Sequence, residues 1–458
     1  MKTVFLAAVA LTLLTLAAPA ALCADASPPA VAAADPLSTI SNDRVRVGVN
    51  LALGGAITFL APVGSDANLV NSFDWGRQIQ MSFYSGPVPF APGGKEPRKE
   101  WRGLGWNPIQ SGDSYRHRAR LLEQRNDGHE IYVKCVPMQW PLENEPGECE
   151  FESWITLDGP AVRVHNRLVN HRADHTQYRA RTQELPAVYT NGPWHVLKSY
   201  TGDRPFAGEP LSVLPSVFMW KSAEPTENWI ALLDDTDHGL GVWHPGVFHA
   251  GCGYAGKLDL HGGVKDFPTG YIAPNREEIL DHNITYDFSY VLIVGGVDEI
   301  RRYVYDHAER PKPPVYRFEK DRQHWHYNEA TDGGWPINGE LNVALGQHNP
   351  QLIGPLGFWR AEEAGTLRIM AASDAPGSGR IFWRRFGDPG FSAANSTPFT
   401  LPADGAFHPV DIPLGNASTY RGVITQLRVD PPVNAKPGTS IRVREISFPP
   451  ASPSPVPR

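Results

Sequence analysis

Along most of this chain apolar and polar residues alternate with the two-residue period of a half-buried strand. The segment RVRVGVNLALGGAITFLAP, just after Asp43, predicts a strand, a Gly-Gly turn and a second strand. Further on, Arg77, Ile79, Met81 and Phe83 share one strand face, while Gln78, Gln80, Ser82 and Tyr84 share the other. A polar face of that kind either lines a cleft or lies open to solvent. Strands are predicted again over 129–137, 149–157 and 161–170, with turn chemistry such as Asp158-Gly159-Pro160 between them, which makes an antiparallel meander. Others follow over 211–220, 229–233, 239–243 and 284–294. Helical spacing is convincing only in VDEIRRYVYDHAE (297–309), where Ile300, Tyr303 and Val304 fall on one side and Asp298 and Glu299 occupy the first turn.

The helix runs into RPKPP, and the pattern changes beyond it. The chain is therefore read as all-β, with a large antiparallel sandwich over 43–308, a linker over 309–321, a smaller sandwich over 322–448 and a disordered tail over 449–458. At the other end, MKTVFLAAVALTLLTLAAPAALCA has the charge, apolar run and small-residue finish of a secretory signal peptide over 1–24, and the Ala/Pro-rich 25–42 reads as a disordered linker. The mature protein is expected to be secreted or periplasmic, with no membrane association after cleavage. Export allows a Cys135–Cys149 disulfide and leaves Cys252 as a buried odd cysteine.

A net charge of -7 with no basic block argues against a nucleic-acid partner. The 43 Gly, 43 Pro and 13 Trp point to a turn-rich chain with surfaces suited to sugar stacking. Trp75, Trp101, Trp106, Trp194 and Trp243 are the candidate platforms, and residues 88–115 read as a long ordered excursion of the type that forms binding loops. His171 and His175 have the spacing of helical metal ligands but lie in loop or strand context without a third ligand, so neither metal nor cofactor is expected.

The densest chemistry lies in 163–200, around Gln183-Glu184-Leu185-Pro186. Pro186 cannot donate to a ladder, so the strand should end or kink there and aim Glu184 into a loop mouth. Held against Leu185 and Trp194, that carboxyl would suit a general acid; the structural alternative is an ion pair with Arg179 or Arg181. Asp74, in FDWGR, is the best opposing carboxylate, its alternative being a turn cap. Arg77, Tyr84, Tyr189, Trp194, His195, His244, His249 and His282 are the candidate substrate-binding residues. The Asp234–Asp237 run reads as a hairpin turn.

Four stretches carry a resemblance to a known family: GGAITFL with GRQIQ, VHNRLVNHRADHTQYRARTQELPAVY, GVWHPGVFHAGCGYAG, and GYIAPNREEILDHNITYDFSYVLIV. Together they resemble the galactose-mutarotase-like supersandwich, and the closing ITQLRVDPP and GTSIRVREISF are similar to jelly-roll modules of carbohydrate-active enzymes. The resemblance implies a poly- or oligosaccharide partner. This chain departs from the family where Ala273-Pro274 stands in place of the Glu-Pro that carries the base, and Glu184 stands where an acid His is expected. Those departures turn the expectation from mutarotation to glycoside hydrolysis by Glu184 and Asp74. A polysaccharide lyase using Tyr, His and Arg, or a non-catalytic glycan-binding protein, are the alternatives.

Overall fold

The computed structural model describes residues 37–218, 220–374, 376–432 and 438–449. The expected signal peptide and nearly all of the expected tail lie outside them. The alternating pattern is realised as two facing antiparallel sheets. The first runs, edge to edge, Lys221–Ala223, Ala250–Ala255, Thr269–Glu278, Arg181–Thr190, Gln80–Ser82, Pro108–Ile109 and Met138–Gln139. The second has nine strands, with Thr285–Gly296, Ala161–Asn170 and Cys149–Asp158 at its centre. One core fills the space between them: Ile79, Met81, Phe83, Leu185, Val188 and Ile272 from the first sheet meet Phe151, Val164, Phe288 and Leu292 from the second. Most of these residues belong to period-two series, the exception being the step from Leu185 to Val188, which crosses a register shift.

The helix Val297–His307 lays Ile300, Tyr303 and Val304 on the outer side of the nine-stranded sheet, against Trp229, Trp243 and Ile293. Among the described residues no α-helix covers the seven-stranded sheet. Its outer face is left to Ala187, Tyr271 and Ala273, with Tyr189 and Trp220 packed on them. Among the described residues no helix is long and apolar enough to cross a membrane.

Residues 315–447 form two further sheets of six strands each around a separate core rich in tryptophan, including Trp325, Trp359 and Trp383. This second body is fastened to the first by a buried network. Arg322 binds Asp332 at 2.5 Å and Asp281 at 2.6 Å, and Gln177 donates to both carboxylates.

Several expectations are corrected. The last residues of the expected 25–42 linker form the strand Leu37–Ser41, paired with Val45–Asn50. Within the expected 309–321 linker, Val315–Arg317 pairs with Ser440–Ser447 and Phe318 is fully buried in the second core, so alternation, not proline content, decides where that body begins. Of the strand expected over 211–220 only Ser212–Val213 forms among the described residues, since Pro215 cannot continue a ladder. The strand through Pro186 does not end: Arg181–Thr190 continues and absorbs the proline in a register shift between Glu184 and Val188. Cys135 and Cys149 are both free and buried, as is Cys252. Cys135 lies opposite Phe151, so Cys149 is its diagonal neighbour, too far across a ladder for a disulfide.

Candidate functional site

The uncovered face of the seven-stranded sheet carries the cluster that sequence centred on Glu184. In the central strand Leu185 and Val188 point into the core, while Glu184, Ala187 and Tyr189 lie on the open side. The register shift lets residues three and then two apart share that face. Gln183, fully buried, fixes the neighbouring chain: its amide accepts from the Tyr84 N–H and donates to the Tyr84 carbonyl, each at 2.8 Å.

Glu184 is held by phenols and by neither of the arginines suggested from sequence. Tyr84 Oη donates to its Oε2 at 2.8 Å, Tyr271 Oη donates to Oε1, and Ser82 Oγ in turn donates to Tyr84 Oη at 3.0 Å. Arg179 instead pairs with Glu329, and Arg181 donates to the Leu104 carbonyl at 2.6 Å, pinning the excursion to the sheet. Burial, and then the Glu184 charge, push the Tyr84 and Tyr271 phenols well above their ordinary range; the same two causes raise Tyr189. All three phenols therefore stay protonated, and the carboxylate is the acceptor.

Aromatic rings build the walls. Trp220 stacks on Tyr271 at 4.3 Å, Tyr189 lies 4.9 Å from Tyr271, and Phe218 packs edge-on to Trp220. A Cβ on Gly253 would meet the Val217 carbonyl at 2.4 Å, so the loop carrying these rings lies directly on the sheet. At the mouth, Arg77 sits in the corner formed by the perpendicular rings of Phe73 and Phe267, with its guanidinium 4.7 and 4.5 Å from the ring centres. Asp74 accepts the Gly76 N–H at 2.9 Å and pairs with Arg77 Nε at 3.3 Å, so it caps its own turn and braces the arginine. The charges of Glu184, Arg77 and Asp74 all act on Tyr189, which stands among them.

The remaining candidates separate. His249 joins the face: it precedes Ala250, whose side chain enters the core, and its carbonyl accepts the Asn275 N–H at 2.8 Å. His244 lies in the interior, its ring parallel to Phe288, and burial pushes its pKa down to about 3. Trp194 is packed against the core, and His195 faces Asp235 in the 234–237 hairpin turn, 3.4 Å away. His282 stacks on His175 at 4.0 Å, which takes His175 out of any pairing with His171. No group of three or more metal-ligating side chains occurs among the described residues. Of the tryptophan platforms, Trp106 and Trp243 are core residues.

Sequence reading missed Tyr271, Trp220, Phe73 and Phe267. The alternation within GYIAPN, which sends Ile272 inward, could have put Tyr271 on the open face; nothing local marks the others.

No family model and no curated protein match the chain. Solved structures similar to it include a galactose mutarotase-like protein from Lactobacillus casei, 11% identical, covering 57% of this chain and 100% of that one with a TM-score of 0.36. A 4-alpha-glucanotransferase from Thermococcus litoralis is similar over 57% of this chain and 37% of its own, at 11% identity and a TM-score of 0.33. A low-affinity xylan-binding module from Roseburia intestinalis matches 30% of this chain and 95% of its own, at 10% identity and a TM-score of 0.21.

Proposed function

We propose that this protein is a carbohydrate-active enzyme, a glycoside hydrolase whose substrate lies along the open face of the seven-stranded sheet and whose reacting carboxylate is Glu184. One observation carries the reading: a carboxylate that accepts two phenol hydrogens from Tyr84 and Tyr271, on a sheet face walled by Trp220, Tyr189 and the aromatic clamp around Arg77. Flat rings stack on the apolar faces of pyranoses, and a fixed carboxylate serves acid, base or nucleophile chemistry at the anomeric carbon.

Elimination from a uronate fits less well. A lyase needs a base able to take a carbon-bound proton, and the three phenols here are pushed the opposite way by burial and by Glu184. Arg77, the guanidinium at the mouth placed to neutralise a uronate, is already paired with Asp74. Neutral glycans are therefore the favoured substrates. Release of new reducing ends from a neutral polysaccharide, without the ultraviolet absorbance of an unsaturated uronate, is the expected result. Retention of the polysaccharide with neither signal would make the protein a glycan binder.

A further inference from the structure

The ladder between Arg181–Thr190 and Thr269–Glu278 pairs Thr182 with Glu277 and Glu184 with Asn275, and it is regular over these positions, the register shifting only beyond Glu184. Residues paired across a ladder share a face, as do residues two apart in a strand. Glu277 is thus on the open face with Glu184, one step along the neighbouring strand. Glu278, the next residue, points the opposite way and takes the Tyr286 hydroxyl at 2.9 Å in the interior. Glu277 is exposed and accepts the Thr182 hydroxyl. No Lys or Arg among the described residues forms an ion pair with either Glu184 or Glu277.

We propose that Glu277 is the second reacting carboxyl group, facing Glu184 in an inverting hydrolysis; the assignment rests on the hydrolase reading above. Diagonal neighbours in an antiparallel ladder stand roughly 7–8 Å apart. That is a backbone spacing, and from it two glutamate side chains can span the roughly 6.5–9.5 Å between carboxyl groups that leaves room for a water between an acid and a base. Asp74 is less suited, since it caps its own turn through the Gly76 N–H and is ion-paired with Arg77, whereas Glu184 is held by neutral phenols; it acts as a positioning residue for Arg77. His249 lies on the same face, where the Glu277 charge acts on it, and burial lowers its pKa.

The step balances as follows. Glu184, already the acceptor of two phenol hydrogens, takes a proton from water as the water oxygen bonds to the anomeric carbon. The glycosidic C–O bond breaks, its electron pair stays with the departing oxygen, and that oxygen takes the proton of the Glu277 carboxyl. One water is consumed, one reducing end of inverted configuration forms, and solvent returns the proton from Glu184 to Glu277 between turnovers.

The test uses the purified full chain on a panel of neutral polysaccharides (xylan, mannan, galactan, arabinan and mixed-linkage glucan), with reducing ends as the readout and proton NMR to identify the first anomer released. Glu184→Gln, Glu277→Gln and Asp74→Asn are compared on whichever polymer is cleaved. Glu184→Gln and Glu277→Gln are each expected to lower kcat about 10³-fold with KM and Tm little changed, Asp74→Asn by less than about 10-fold, and the first anomer to be inverted. Near-full turnover by Glu277→Gln beside an inactive Glu184→Gln, or a retained anomer, overturns the assignment and leaves the hydrolase reading standing. Turnover by Glu184→Gln, or no cleavage of any polymer, overturns both.

Discussion

The hydroxyl of Tyr84 donates to Glu184 at 2.8 Å, from the strand that pairs with the central strand through Ser82 and Glu184. A hydrogen bond to a charged group contributes roughly 1.5–3 kcal/mol. Tyr84→Phe should therefore lower kcat about 10- to 100-fold on a cleaved substrate with KM within a few-fold, and Tyr84→Phe combined with Tyr271→Phe should fall further. Steady-state kinetics on the three proteins check this, and unchanged turnover would mean that the phenols only pack.

Trp220 provides a flat wall and takes no part in proton movement. It is stacked on Tyr271 at 4.3 Å and partly exposed, on the sheet face that carries Glu184. An aromatic contact of this kind is worth roughly 0.5–1.5 kcal/mol. Trp220→Ala should raise KM by about 3- to 10-fold and leave kcat nearly as it is; a fall in kcat alone would place the ring in the chemistry instead.

The two bodies are joined by a charged network that is almost fully buried, with side-chain exposure of 6% for Arg322, 2% for Asp281 and 0% for Asp332. Arg322→Ala leaves two carboxylates in the interior without a cation, a loss of about 3–5 kcal/mol. Urea unfolding should show this loss, and Arg317→Ala, whose partner Glu445 is on the surface, should cost less than about 1 kcal/mol.

His244 makes stability depend on pH. Burial, with Arg276 nearby, pushes its folded pKa down to about 3 from the ordinary 6.5. Between those values the unfolded chain binds a proton that the folded chain does not, so stability falls as pH drops below about 6.5, by roughly 1.4 kcal/mol per pH unit from this group. Melting curves from pH 7 to pH 4 should fall more steeply for the wild type than for His244→Phe, which keeps a flat ring against Phe288. Parallel slopes would contradict the assignment.

The sheets were legible in the sequence because Val47, Met81, Val164 and Leu292 belong to unbroken period-two runs, and the helix because Ile300 and Val304 do not. Irregular pieces were less readable. Pro186 looked like a strand end, yet neighbouring strands carry the chain through it with a register shift. The turn-cap role of Asp74 was legible because its partner is two residues away. By contrast the partners of Glu184 are 100 and 87 residues distant, brought to it by strand order alone, and no local signal names them. Trp220 is missed for the same reason, since its place over Tyr271 comes from a loop lying across the sheet.

The central claim is that Glu184 reacts and is not merely held. The most direct measurement is turnover of Glu184→Gln against the wild type on a neutral polysaccharide that the wild type cleaves, with binding of the same polymer followed by affinity gel. Gln keeps the size of the side chain and one of the two oxygens that accept from the tyrosines but cannot exchange a proton. The account predicts kcat lowered about 10³-fold with gel retardation preserved. Full turnover by Glu184→Gln would contradict it.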